Sequence, residues 1–156
     1  MINQTDSYHL LEQSLTFVNS KYDSDTLGYV IMPNHLHLLL YFKKDNRLSD
    51  YMRDFKKFTS LKIRQELKIR NLIFMLDSIR TESRKRVFQV WEERFDDQYI
   101  RSRAMLEHKL DYIHENPLQD HWNLVEYPED YTYSSASFYH SGKQPGLNVV
   151  HYKEYY

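Results

Sequence analysis

A chain of 156 residues, 41% apolar and 28% charged, suits one domain built around its own core. It has no cysteine for disulfides or thiolate metal ligands, and its three glycines are too few for a Gly-rich phosphate loop. With 21 basic and 22 acidic residues the net charge is −1, so no global field draws nucleic acid, and no apolar run approaches the roughly 18 residues of a membrane span.

Apolar spacing at Leu10, Leu11, Leu15 and Val18 predicts a helix from Ser7 to about Tyr22. Leu27 to Met32 is rich in β-formers, Pro33-Asn34 is a turn signal, and His35 to Phe42 is a second apolar run; together they predict a hairpin. Ser49 is placed to cap a long helix to about Ile69, with Met52, Phe55 and Phe58 along one side. Residues 71–86 are basic and fit either a helix or a loop. Val87 to Ile100, VFQVWEERFDDQYI, mixes β-branched, aromatic and polar residues in the manner of a strand with a turn. A helix is expected from about Ser102 to Glu115 on a core stripe of Leu106, Leu110 and Ile113, stopped by Pro117. From Trp122 the tail reads as irregular. The order α-β-β-α-β-α predicts an α+β fold, with helices on one face of a small antiparallel sheet.

One run in the hairpin raises a chemical question. GYVIMPNHLHLLL is almost wholly apolar, yet it holds His35 and His37 with a single leucine between them. Strand alternation turns both imidazoles to one face and Leu36, Leu38 and Leu40 to the other. Two neutral imidazoles at this spacing can converge on a divalent ion, although a lone His-x-His is more often a half-exposed pair on an open sheet. On the last helix, Tyr112 and Asn116 are four residues apart and share a face beside the core stripe, whereas His114 points away. Pro117 weakens helical geometry at Asn116.

The segments MPNHLHLLL, LSDYMRDFKKFTS, VWEERFDDQYIR, YIHENPLQDHW and YPEDYTYSSASFY stand in the order and spacing seen in single-tyrosine HUH transposases. Over about residues 27–140 the chain most resembles the branch called REP-associated tyrosine transposases, with 141–156 left as a C-terminal tail of a single domain. The resemblance implies a ferredoxin-like fold with His35 and His37 on a central strand, Tyr112 as nucleophile and Asn116 as a polar metal ligand. The implied cofactor is Mg²⁺ or Mn²⁺, and the implied partner is single-stranded DNA carrying a hairpin. The implied reaction is nicking and rejoining through a 5′-phosphotyrosine and a free 3′-OH, with no need for ATP. Lys56, Lys57, Arg80, Arg84, Lys85 and Arg86 are then candidates for DNA-backbone contacts. The cysteine-free composition and an N-terminus without signal-peptide character fit a cytoplasmic location.

The chain departs from that family at its start. The family begins with a strand, whereas this sequence opens almost directly on the helix, so the first strand of the sheet is missing. A late start at Met1, a gap filled by another segment or chain, or a decayed copy would each account for this. The expectation favoured here is a homodimer in which a strand is shared, with the tail from Gly146 (Leu147, Val149, Val150, Tyr152) as the piece free to travel. A catalytically inactive DNA-binding remnant is the alternative function.

Overall fold

The computed structural model describes residues 7–45, 47–81 and 87–156. Helix α1 (Tyr8–Tyr22) buries Leu10, Leu11, Leu15 and Val18 as their spacing predicts, and it ends where Asp23 turns left-handed at φ 50°. Strands β1 (Ser24–Ile31) and β2 (Leu36–Phe42) form the expected antiparallel hairpin, with Tyr29 opposite Leu38 and Val30 opposite His37. The Met32 N–H donates to His35 O at 2.8 Å and closes the Pro33-Asn34 turn. Helix α2 (Leu48–Ile69) follows, then a short α3 (Ile73–Ser78), and α4 (Arg103–Glu115) starts where Ser102 Oγ accepts the Met105 N–H.

The α+β class and its antiparallel hairpin are what the sequence predicts, and the arrangement is consistent with a small ferredoxin-like fold. The layering differs in one respect. Tyr29 and Ile31, with Leu36, Leu38 and Leu40 beside them, pack against α1 and α2. Leu27, Val30, Met32 and Leu39 pack against Leu106, Leu110 and Ile113 of α4. Both faces of β1 are apolar, so helices cover the sheet on both sides rather than one, and α4 lands on the face that carries the histidines.

Gly28 sets the closeness of that contact. A Cβ there would lie 2.5 Å from Leu110 Cδ1, with Leu39 Cβ at 3.7 Å behind it. Leu110 is buried and has little room to give. Gly28→Ala is therefore expected to cost about 1–3 kcal/mol, read as a melting temperature several degrees lower, and to loosen α4 on the sheet.

Three expectations are corrected. Val87 to Ile100 is not a strand: its one ladder contact is the bridge from Phe88 to Arg80. Its β-like residues serve as anchors instead, since Phe88, Val90 and Trp91 pack on the α1–α2 cluster and Trp91 Nε1–H donates to Thr59 Oγ1 at 2.7 Å. The buried stripe of α2 is Tyr51, Phe55, Thr59, Ile63 and Leu67, with Met52 and Phe58 only partly covered. The tail, read from the sequence as free to travel, is docked on its own chain. Leu147 and Val149 are buried, and the Val150 N–H donates to Thr26 O at 3.0 Å, while Ile31 N–H donates to Tyr133 O at 2.9 Å. These segments occupy the outer edge of β1 within the same chain. The outer edge of β2 carries no strand among the described residues, and a cleft of about 1000 Å³ runs along it.

Candidate active site

Strand alternation places both imidazoles on the α4 face, with ring centroids 5.0 Å apart and nearly perpendicular. From the other side α4 brings Tyr112, whose ring centroid is 5.5 Å from that of His37, and Asn116, whose Oδ1 is 3.3 Å from His35 Nε2. Asn116 keeps helical geometry (φ −52°, ψ −44°) even though a proline follows it. Its Nδ2–H donates to Tyr112 O at 2.9 Å, which ties the amide to the last turn of the helix. The amide is buried, at 2% exposure, whereas Tyr112 is 46% exposed. The nucleophile candidate is thus open to a substrate and the amide is fixed.

The hydrogen-bond directions make the site unusual. His35 Nδ1 lies 2.6 Å from Asn34 Oδ1, and the tautomer that carries its proton on Nδ1 donates there and leaves Nε2 as an acceptor. Because Asn116 spends its Nδ2–H on Tyr112 O, its oxygen is what faces that nitrogen. Two acceptors therefore oppose each other at 3.3 Å. His37 Nε2 is buried with no hydrogen-bond partner among the described residues, at a cost of about 1–3 kcal/mol. A proton on His35 would reconcile the first pair and leave His37 orphaned. A divalent cation bound between them would satisfy all three. The donor set of two imidazoles and one amide oxygen fits such an ion. No three His, Cys, Asp or Glu side chains cluster this way among the described residues; here the third donor is an amide.

Burial, then the neighbouring His35 and Lys109, pushes the His37 imidazole below its usual range, which favours the neutral ring that a metal needs. Lys109, one turn before Tyr112, holds its ammonium 6.0 Å from the centre of the tyrosine ring. Trp122 stands on the other side, 6.0 Å from the His35 ring. Helical spacing could have singled out Lys109; nothing in the local sequence points to Trp122 or to Asn34 as the partner of His35.

His114 turns away from the site, as its position predicts. Its Nε2 is 2.8 Å from Ser135 Oγ, and burial lowers its pKa to about 4. An unfolded chain would bind a proton at this residue below about pH 6.5, while the native one does so only near 4. Stability should therefore fall as pH drops through that window, by at most about 3 kcal/mol. Urea midpoints at pH 7 and 4.5 should show the part of this loss that His114→Gln removes.

The basic candidates divide. Lys57 is exposed. Arg80 is exposed and pairs with Asp77 at 3.1 Å. Lys56 is committed inside the chain: its ammonium donates to the carbonyls of Glu92, Glu93 and Arg94 at 2.8, 3.3 and 3.1 Å. Arg84, Lys85 and Arg86 lie outside the described residues.

Residues 1–76 match the model of the family described as Transposase IS200 like. No curated protein and no solved structure matches the chain. The matched part runs from α1 into α3 and contains His35 and His37. The match covers just under half of the chain and is a likeness to that transposase family. No helix among the described residues is long and apolar enough to cross a membrane.

Proposed function

We propose that this chain is a metal-dependent, single-tyrosine transposase that nicks and rejoins single-stranded DNA, close in kind to the REP-associated branch. The observation that supports this most is the set of acceptors without a donor. His35 Nε2, Asn116 Oδ1 and the orphaned His37 Nε2 gather beside an exposed tyrosine, in a chain whose first 76 residues match a transposase family.

His35, His37 and Asn116 would hold Mg²⁺ or Mn²⁺, which when bound would supply positive charge to a phosphate oxygen and so favour displacement at phosphorus. Asn34 orients the His35 ring through its Nδ1, and the Tyr112 carbonyl orients the Asn116 amide. These two bonds aim the ligands before any substrate arrives. The Tyr112 oxygen attacks phosphorus as it loses its proton; the P–O3′ bond breaks, and the leaving 3′ oxygen takes a proton. The product is a 5′-phosphotyrosine with a free 3′-OH. Rejoining reverses the step when a 3′-OH attacks the same phosphorus and returns the pair of electrons to Tyr112. A hairpin beside the cut presents the flanking nucleotides unpaired.

The test is incubation of the chain with hairpin-bearing single-stranded DNA, its fully duplex counterpart, and each again with a chelator. Cleavage to a 3′-OH end is expected only for the single strand and only without the chelator. Cleavage that survives chelation would remove the metal from the mechanism, and cleavage of the duplex alone would remove the substrate class.

A further inference from the structure

The segment after α4 builds a wall beside the histidines that the reaction above does not use. A 3₁₀ turn over Asn116–Leu118 leads into a tight loop, in which Trp122 N–H donates to Gln119 O at 2.7 Å and Leu124 N–H to Pro117 O at 2.9 Å. The two bonds tie both ends of the loop to the turn that carries Asn116. Asn123 takes a left-handed backbone at φ 42°, tolerated by asparagine better than by most residues. The result holds the Trp122 indole half-buried, tilted 47° to the His35 ring at 6.0 Å, with the ring of His121 5.4 Å away. Its inner part packs on the α4 cluster, alongside Val125 and Ile100. Tyr112 lies by His37 and Trp122 by His35, so the histidine pair is framed by aromatic rings supplied from both sides.

We infer that Trp122 is a stacking platform for one unpaired base next to the scissile phosphate. The inference rests on the proposed nicking function. A base can lie on the indole only when it is out of a duplex stack, so the residue would select single strands and hold the flanking nucleotide while Tyr112 reacts. Every base has a π face, so the preference is for an unpaired nucleotide and not for one sequence. Trp122 acts here on positioning and touches no reacting atom.

The experiment measures binding of hairpin-bearing oligonucleotides by anisotropy in Mn²⁺, in a Tyr112→Phe background so that no reaction intervenes. Trp122→Ala should weaken binding about 10- to 100-fold, the range of a lost base–aromatic stack, and Trp122→Phe should recover to within about threefold. Abasic substitutions are then scanned along the single strand. At one position the abasic lesion should cost the indole-bearing chain the same factor as Trp122→Ala and cost the Ala variant nothing; at all others the effects should add. A variant that had merely lost packing would not single out one nucleotide. If Trp122→Ala melts below the assay temperature, Trp122→Leu keeps the apolar contact and carries the comparison. Unchanged affinity, or additive losses at every position, overturns the inference. A stacked base with no covalent adduct on native Tyr112 would overturn the nicking function and leave this inference standing; an adduct without the position-specific coupling would do the reverse. A chain that binds no single strand overturns both.

Discussion

Tyr112→Phe is expected to abolish covalent attachment to DNA, to below detection on a denaturing gel, while leaving the fold and DNA affinity nearly unchanged. The substitution removes one hydroxyl from a ring that is 46% exposed and lies outside the buried stripe of Leu106, Leu110 and Ile113. A surface change of this kind stays within about 0.5 kcal/mol. The loss of reaction is expected to be total because the proposed phosphodiester forms on the hydroxyl that is removed. The ring itself remains against His37 and near Lys109, so the surroundings of the two histidines keep their shape. An adduct that persisted would mean another of the 14 tyrosines attacks phosphorus.

His37→Leu should separate stability from activity. The buried Nε2 has no partner among the described residues, and leucine of similar volume removes that polar atom from an apolar strand. Without metal the variant is expected to be as stable as the native chain or more so, by up to about 2 kcal/mol. Activity should drop by more than about 100-fold, since even groups that only orient metal ligands are worth about 10- to 100-fold. Adding Mn²⁺ should raise the melting temperature of the native chain and leave that of the variant where it was, because an ion that binds only the folded site stabilises it by mass action. Thermal melts in chelator and in Mn²⁺ check both halves. A variant destabilised in chelator would show that His37 Nε2 has a partner within the protein.

Much of this site was legible because its signals are local. Two-residue alternation puts His35 and His37 on one face, and four-residue spacing puts Tyr112 and Asn116 on another, so each half could be read without knowing its partner. The apolar spacing of α1 and α4 is equally local, and their buried residues are the expected ones. What escaped depends on distant chain. Val87 to Ile100 carries strand-like residues, but Lys56 gathers the carbonyls of Glu92 to Arg94 and Trp91 bonds Thr59, so the segment is pinned to α2 and pairs only at the single Phe88–Arg80 bridge. A lysine in a basic run looks the same whether it meets phosphate or carbonyl oxygens. Thr59 was missed on the α2 stripe because a polar residue there is hidden by its bonds to Phe55 O and to Trp91. The docking of residues 133–135 and 147–150 along β1 has no periodic mark at all, since it consists of single bridges.

The most direct measurement is mass spectrometry of the digested native chain after reaction with a hairpin-bearing single strand in Mn²⁺. The account predicts one modified peptide, carrying a 5′-linked oligonucleotide on Tyr112, present with the ion and absent after chelation. A modification mapped to another residue, or an unmodified Tyr112 beside a cleaved strand, would contradict it.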